Sequence, residues 1–130
     1  QAVAVAACEQ SGRTRVPQIA PVLPLTAWLP GVPAAATCWV LSLRDSASPL
    51  AAVAAGAGNA IVALSGPEGG LGAAEEEAAC AAGFAPISLG ARVLRADTAP
   101  LALCALLSLR AGAAAPRMAV SAADGRQRGA

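Results

Sequence analysis

The run "AIVALS" (Ala60 to Ser65) passes without a spacer into "GPEGG" (Gly66 to Gly70) and then into the alanine- and glutamate-rich stretch Gly72 to Ala82. A short apolar run, a cluster of glycines and a helix-forming run read in that order as strand, tight loop and helix. The order recurs downstream: Ala85 to Leu89 reads as a short strand, Gly90 to Ala96 as a loop and Thr98 to Arg110 as a helix. Thr98 or Asp97 suits the cap of that helix, and Pro100 suits its first turn. Strands alternating with helices predict an α/β domain with a mainly parallel sheet.

The rest of the chain fits round this pair of units. Gln1 to Ser11 reads as the last turns of a helix, stopped by Gly12. Pro17 to Pro33 is punctuated by prolines and leaves room for a short helical turn at Leu25 to Leu29, with Trp28 as an apolar anchor. "TCWVLSL" (Thr37 to Leu43) is the first strand, "RDSASP" a turn, and Leu50 to Ala57 an alanine segment of ambiguous type. From Ala111 onward the residues lack a period, and 111–130 are read as a flexible tail.

At 130 residues the chain is sized for one compact domain. With 56% hydrophobic and 2% aromatic residues, its core must be built from Ala, Leu and Val. Two stretches lack charge, Val16 to Leu43 and Ser46 to Pro67, and each is long enough to span a bilayer. The first carries Pro17, Pro21, Pro24, Pro30 and Pro33 and the second Pro49, Gly56, Gly58 and Asn59, so neither reads as a membrane helix. The start of the chain has no basic segment of the signal-peptide kind.

All nine cations are Arg, and eight acids leave a net charge of +1, so no global basic field draws the chain onto nucleic acid. Any RNA contact must be local. The absence of His disfavours hydrolase triads and most zinc sites, and no metal is expected. Cys8, Cys38, Cys80 and Cys104 are isolated singles, read as small buried hydrophobes in a reducing cytoplasm. The run Glu75, Glu76, Glu77 reads as helix-start chemistry and a solvated face.

In open parallel sheets ligands bind beyond the carboxyl ends of the strands, where both glycine-bearing loops fall. Gly66, Gly69 and Gly70 permit positive φ or close backbone approach to a ligand, and Pro67 stiffens the turn. A simple strand-to-helix turn is the other reading of the same residues. The loop is neither GxGxxG nor GxxxxGK[ST], so a phosphate-poor cofactor fits better than a dinucleotide. The second loop places Arg92 and Arg95 beside Val93 and Leu94, either as surface charges or as site residues.

"EQSGRTRVP" (Glu9 to Pro17), "LSGPEGGL" (Leu64 to Leu71) and "LGARVLRADTAPLAL" (Leu89 to Leu103) together resemble the signature segments of the RsmE family. These are bacterial 16S ribosomal RNA (uracil-N3)-methyltransferases of the SPOUT superfamily. The resemblance implies an α/β domain over residues 1–110 with a C-terminal deep trefoil knot. It implies S-adenosylmethionine as cofactor, held by Leu64, Gly66, Pro67, Glu68, Gly69 and Gly70 of the first loop. Leu89, Gly90, Val93, Leu94, Arg95 and Thr98 would hold it from the second. It further implies Arg13, Arg15 and Arg95 at the catalytic or RNA side, with Arg92 beside them, and a cytoplasmic homodimer acting on 16S rRNA of the small ribosomal subunit. Asp97 stands where many relatives carry Glu. Relatives begin with a PUA-like RNA-binding barrel and a further catalytic strand, so the chain is expected to be an N-terminally truncated form. A cofactor-binding or dimerisation module without turnover is the alternative.

Overall fold

A computed structural model describes residues 1–114. They form two compact units, Gln1–Pro33 and one beginning at Ala34. In the first, α1 (Ala2–Ser11) stops at Gly12, whose φ of 67° lets the Gly12 and Arg13 amides donate back to the carbonyls of Glu9 and Cys8. After an irregular proline-rich stretch come α2 (Leu25–Trp28) and a 3-10 turn over Leu29–Gly31. Leu29 is the buried residue of this turn, and Trp28 beside it is half-buried.

The second unit is built on four parallel strands: β1 (Thr37–Leu41), β2 (Ser48–Pro49), β3 (Ile61–Leu64) and β4 (Ala85–Ser88). Their order is β2-β4-β1-β3, which puts β1 between its two longest neighbours. The helices are α3 (Leu50–Val53), α4 (Ala73–Ala81) and α5 (Thr98–Ala114), with a 3-10 turn over Ala54–Gly56 after α3. The mainly parallel α/β sheet flanked by helices is therefore as expected.

Register assigns the faces. Trp39 pairs with Ala63 and Ala85, and Leu41 with Ile87, so these side chains share one side of the sheet. Trp39 and Ile87 close there on Leu50, Ala54 and Leu103, which brings the alanine segment and α5 onto that side. Val40 alternates to the other side and is fully buried, and α4 is the helix that packs against β1. Small residues allow this: Ala79 of α4 is completely buried. Just past the end of the helix, Gly83 at a φ of 93° brings the Phe84 amide back to the Ala79 carbonyl at 3.0 Å.

Three features differ from the sequence reading. "RDSASP" ends in a two-residue edge strand, because Ser48 and Pro49 pair with Ile87 and Ser88; proline is tolerated at such an edge. The last helix runs on to Ala114, so 111–114 are not tail, and 115–130 lie outside the described residues. Of the cysteines only Cys8 is buried; Cys38 and Cys80 are half-buried, and Cys104 is exposed on α5. No helix among the described residues is long and apolar enough to cross a membrane.

Candidate cofactor site at the carboxyl edge of the sheet

Each strand that ends at this edge delivers its chain into a loop. β3 runs into Ser65 and the turn Pro67 to Gly70, closed by the Gly70 amide on the Pro67 carbonyl at 2.9 Å. Gly69 occupies the third turn position at φ 108° and Gly70 follows at 80°, conformations that L side chains rarely adopt. Gly66 is required for another reason. A Cβ there would lie 2.6 Å from the Leu71 nitrogen and 2.7 Å from the Gly70 carbonyl carbon. The close approach that glycine permits at this position is thus the loop packing on itself. The loop then enters α4, where the Glu75 carboxylate accepts the Gly72 amide at 2.8 Å.

The second loop leaves β4 through Ser88, whose hydroxyl accepts the Gly90 amide at 3.2 Å while Gly90 sits at φ 126°. It rejoins helix α5 where the Arg95 carbonyl accepts the amides of Thr98 and Ala99, both at 2.9 Å. The two loops meet at Arg95. Its Nη2 is 3.8 Å from Glu68 Oε1 and its Nε 3.6 Å from Asp97 Oδ1. Arg92 has no such ion pair among the described residues.

Between the loops lies a cavity of about 350 Å³. Gly66, Pro67, Glu68, Gly69 and Gly70 form one wall, and Leu89, Gly90, Val93, Leu94 and Arg95 another, each of them a residue singled out from the sequence. Arg92 lines it too. Leu64 and Thr98 do not. Leu64 is the register partner of Val40, on the α4 side of the sheet, and the Thr98 hydroxyl donates to the Asp97 carboxylate at 3.1 Å.

The sequence reading missed the cavity's floor, made by Leu41, Ser42 and Leu43 at the end of β1, with Ile87 and Ser88. Only the strand order, with β1 between β3 and β4, carries that information. It also misplaced Glu76. This residue is not on a solvated face: it is buried, with its Oε2 3.1 Å from Arg44 Nε.

Arg13 and Arg15 belong to the first unit, where they line a hollow with Gly12, Thr14 and Val16 to Gln18. The Arg15 carbonyl accepts the Cys8 thiol at 3.6 Å. Among the described residues no three His, Cys, Asp or Glu side chains stand close enough together to hold a metal ion.

A parallel sheet whose carboxyl edge feeds two glycine-bearing loops round an apolar cleft defines an α/β domain of the ligand-binding kind. Residues 1–108 match the RNA methyltransferase domain family, and the chain belongs to that family. Among its relatives, the ribosomal RNA small subunit methyltransferase E of Synechocystis is 37% identical over 103 residues. That match covers 77% of this chain and 34% of the relative, so the chain spans about a third of it.

The ribosomal RNA small subunit methyltransferase E of Neisseria gonorrhoeae, solved bound to S-adenosylmethionine, superposes with a TM-score of 0.78 at 38% identity. It is matched over 85% of this chain and 46% of that one. A Legionella pneumophila protein solved in complex with the same cofactor gives 0.74 at 26% identity, over 84% of this chain and 44% of that one.

Proposed function

We propose that this chain, read as a methyltransferase domain over residues 1–110, binds S-adenosylmethionine between its two glycine loops and methylates N3 of a uridine in 16S rRNA. The observation that carries this reading is the cavity at the carboxyl edge of the sheet, fourteen of whose lining residues fall in the two segments that resemble the RsmE signatures.

The residues present fit the cofactor. The cavity is of small-molecule size, with walls of Leu41, Leu43, Ile87, Leu89, Val93 and Leu94 for an adenine ring. Glycine-rich backbone on both sides offers amides and carbonyls to a ribose and an amino acid. Leu64, which stands on the other side of β3, and Thr98 would act by holding the loop ends. S-adenosylmethionine, when bound, supplies a methyl group already activated on a sulfonium.

What remains for the protein is to hold a uracil in line and to make loss of its N3 proton less costly. Positioning and a fixed positive charge supply that without a histidine. Arg92 and Arg95 stand at the cavity, and Arg92 is the one without a carboxylate beside it among the described residues. Arg95, paired with Glu68 and Asp97, would serve the same side while holding the loops together. Arg13 and Arg15 would meet the RNA.

The reading entails a role in ribosome biogenesis in the cytoplasm, a trefoil knot of the SPOUT kind, and action as a homodimer. Exposed apolar side chains on α5, with Leu101 at 69% and Leu109 at 72%, support a partner surface. They also favour the second reading, a cofactor-binding or dimerisation module without turnover. Calorimetric titration with S-adenosylmethionine, followed by mass spectrometry of small ribosomal subunits for N3-methyluridine, tests both. Binding and methylation support the enzyme. Dimers that do not methylate, whether or not they bind the cofactor, support the module.

A further inference from the structure

Arg44 joins two parts of the cavity wall that are far apart in sequence. It follows the floor segment Leu41 to Leu43, and its own amide donates to the hydroxyl of the buried Ser42 at 3.1 Å. Its side chain reaches α4, with Nε 3.1 Å from Glu76 Oε2 and Nη2 donating to the Ala73 carbonyl at 3.4 Å. Ala73 opens the helix that the first glycine loop enters.

Glu76 is an unusual residue for this position. Its side chain is 10% exposed, and its Oε1 is buried without a hydrogen-bond partner. A carboxylate taken out of water in this way is costly, and an apolar residue would pack there at less expense. Arg44 is the one cation paired with it among the described residues. The arrangement is therefore poor as a source of stability and good as a tether, since it holds α4 at one distance from the end of β1.

We propose that Arg44 and Glu76 are positioning residues that hold the start of α4, and with it the loop Gly66 to Gly70, at the spacing from the β1 end that the cofactor requires. The inference rests on the reading of the cavity as an S-adenosylmethionine site. Neither side chain lines the cavity, and neither touches the reacting atoms.

The test uses the chain with Arg44→Ala, Arg44→Lys and Glu76→Gln, the last keeping the shape of the side chain should the alanine variant fold poorly. Amide hydrogen exchange is read without cofactor at Gly70 and Gly72, with the Thr37 amide, bonded to Ala60 in the sheet, as control. S-adenosylmethionine affinity and turnover are then measured on the same samples. Exchange at Gly70 and Gly72 should rise about tenfold in Arg44→Ala and Glu76→Gln, the scale of coupling between neighbouring residues, with Thr37 unchanged. KM for the cofactor should rise by about the same factor while kcat at saturation holds, and Arg44→Lys should recover part of both.

Unchanged exchange at Gly70 and Gly72 overturns the proposal, as does an equal rise at Thr37, which would mark a general loss of stability. Should the parent chain bind no S-adenosylmethionine while Gly70 and Gly72 respond to the substitutions, the tether stands and the cofactor reading fails.

Discussion

Arg95 places its Nη2 3.8 Å from Glu68 Oε1, joining the loop after β4 to the loop after β3 across the cavity mouth. Both side chains are largely exposed, so solvent and salt screen the pair. Glu68→Gln should therefore lower folding stability by less than about 1 kcal/mol. Its effect should appear instead in S-adenosylmethionine binding, as a loss of affinity that is larger at low salt than at high salt. Calorimetry at two ionic strengths measures both.

Gly66→Ala should be far more damaging than its size suggests. The added methyl would stand 2.6 Å from the Leu71 nitrogen, and backbone cannot move aside as a flexible side chain does. The loop must open, and cofactor binding should fall below detection while far-ultraviolet circular dichroism stays unchanged. Gly70→Val offers a comparison, because nothing crowds that site and the cost there is the φ of 80°.

Arg92→Ala should separate substrate chemistry from cofactor binding. Arg92 stands at the cavity without an ion pair among the described residues, so its removal leaves no buried carboxylate stranded. Turnover on small ribosomal subunits should drop by about a hundredfold, as when one preorganised group facing developing charge is lost. S-adenosylmethionine affinity should stay within about twofold, at an energy cost below that of one exposed ion pair.

Ile87→Ala should test the core and the site together. Ile87 is completely buried in the cluster with Trp39, Leu50, Ala54 and Leu103, and it also floors the cavity. Truncation should cost about 2–5 kcal/mol in urea denaturation. Val40→Ala, on the opposite side of β1, should lower stability with little change in cofactor affinity.

Much of the fold was legible along the chain because its signals are local. The strand-loop-helix order from Ile61 to Ala81 and from Ala85 to Arg110 follows from short apolar runs, glycines that tolerate positive φ, and alanine-rich helices. Those same local signals marked the two loops that wall the cavity, and the resemblance to the RsmE family named ten of the residues that line it. The edge strand Ser48–Pro49 was not legible, since two residues cannot show alternation and their strand character consists only of pairing with β4.

The sequence alone determined where the backbone can turn, because glycine admits a positive φ that other residues rarely adopt. Tertiary structure alone decided which distant segments share a wall. The strand order β2-β4-β1-β3 sets the end of β1 beneath both loops, which made Leu41 to Leu43 part of the cavity. It also turned Glu76 inward from a run of three apparently equivalent glutamates, because burial depends on what packs against a helix and not on the helix itself.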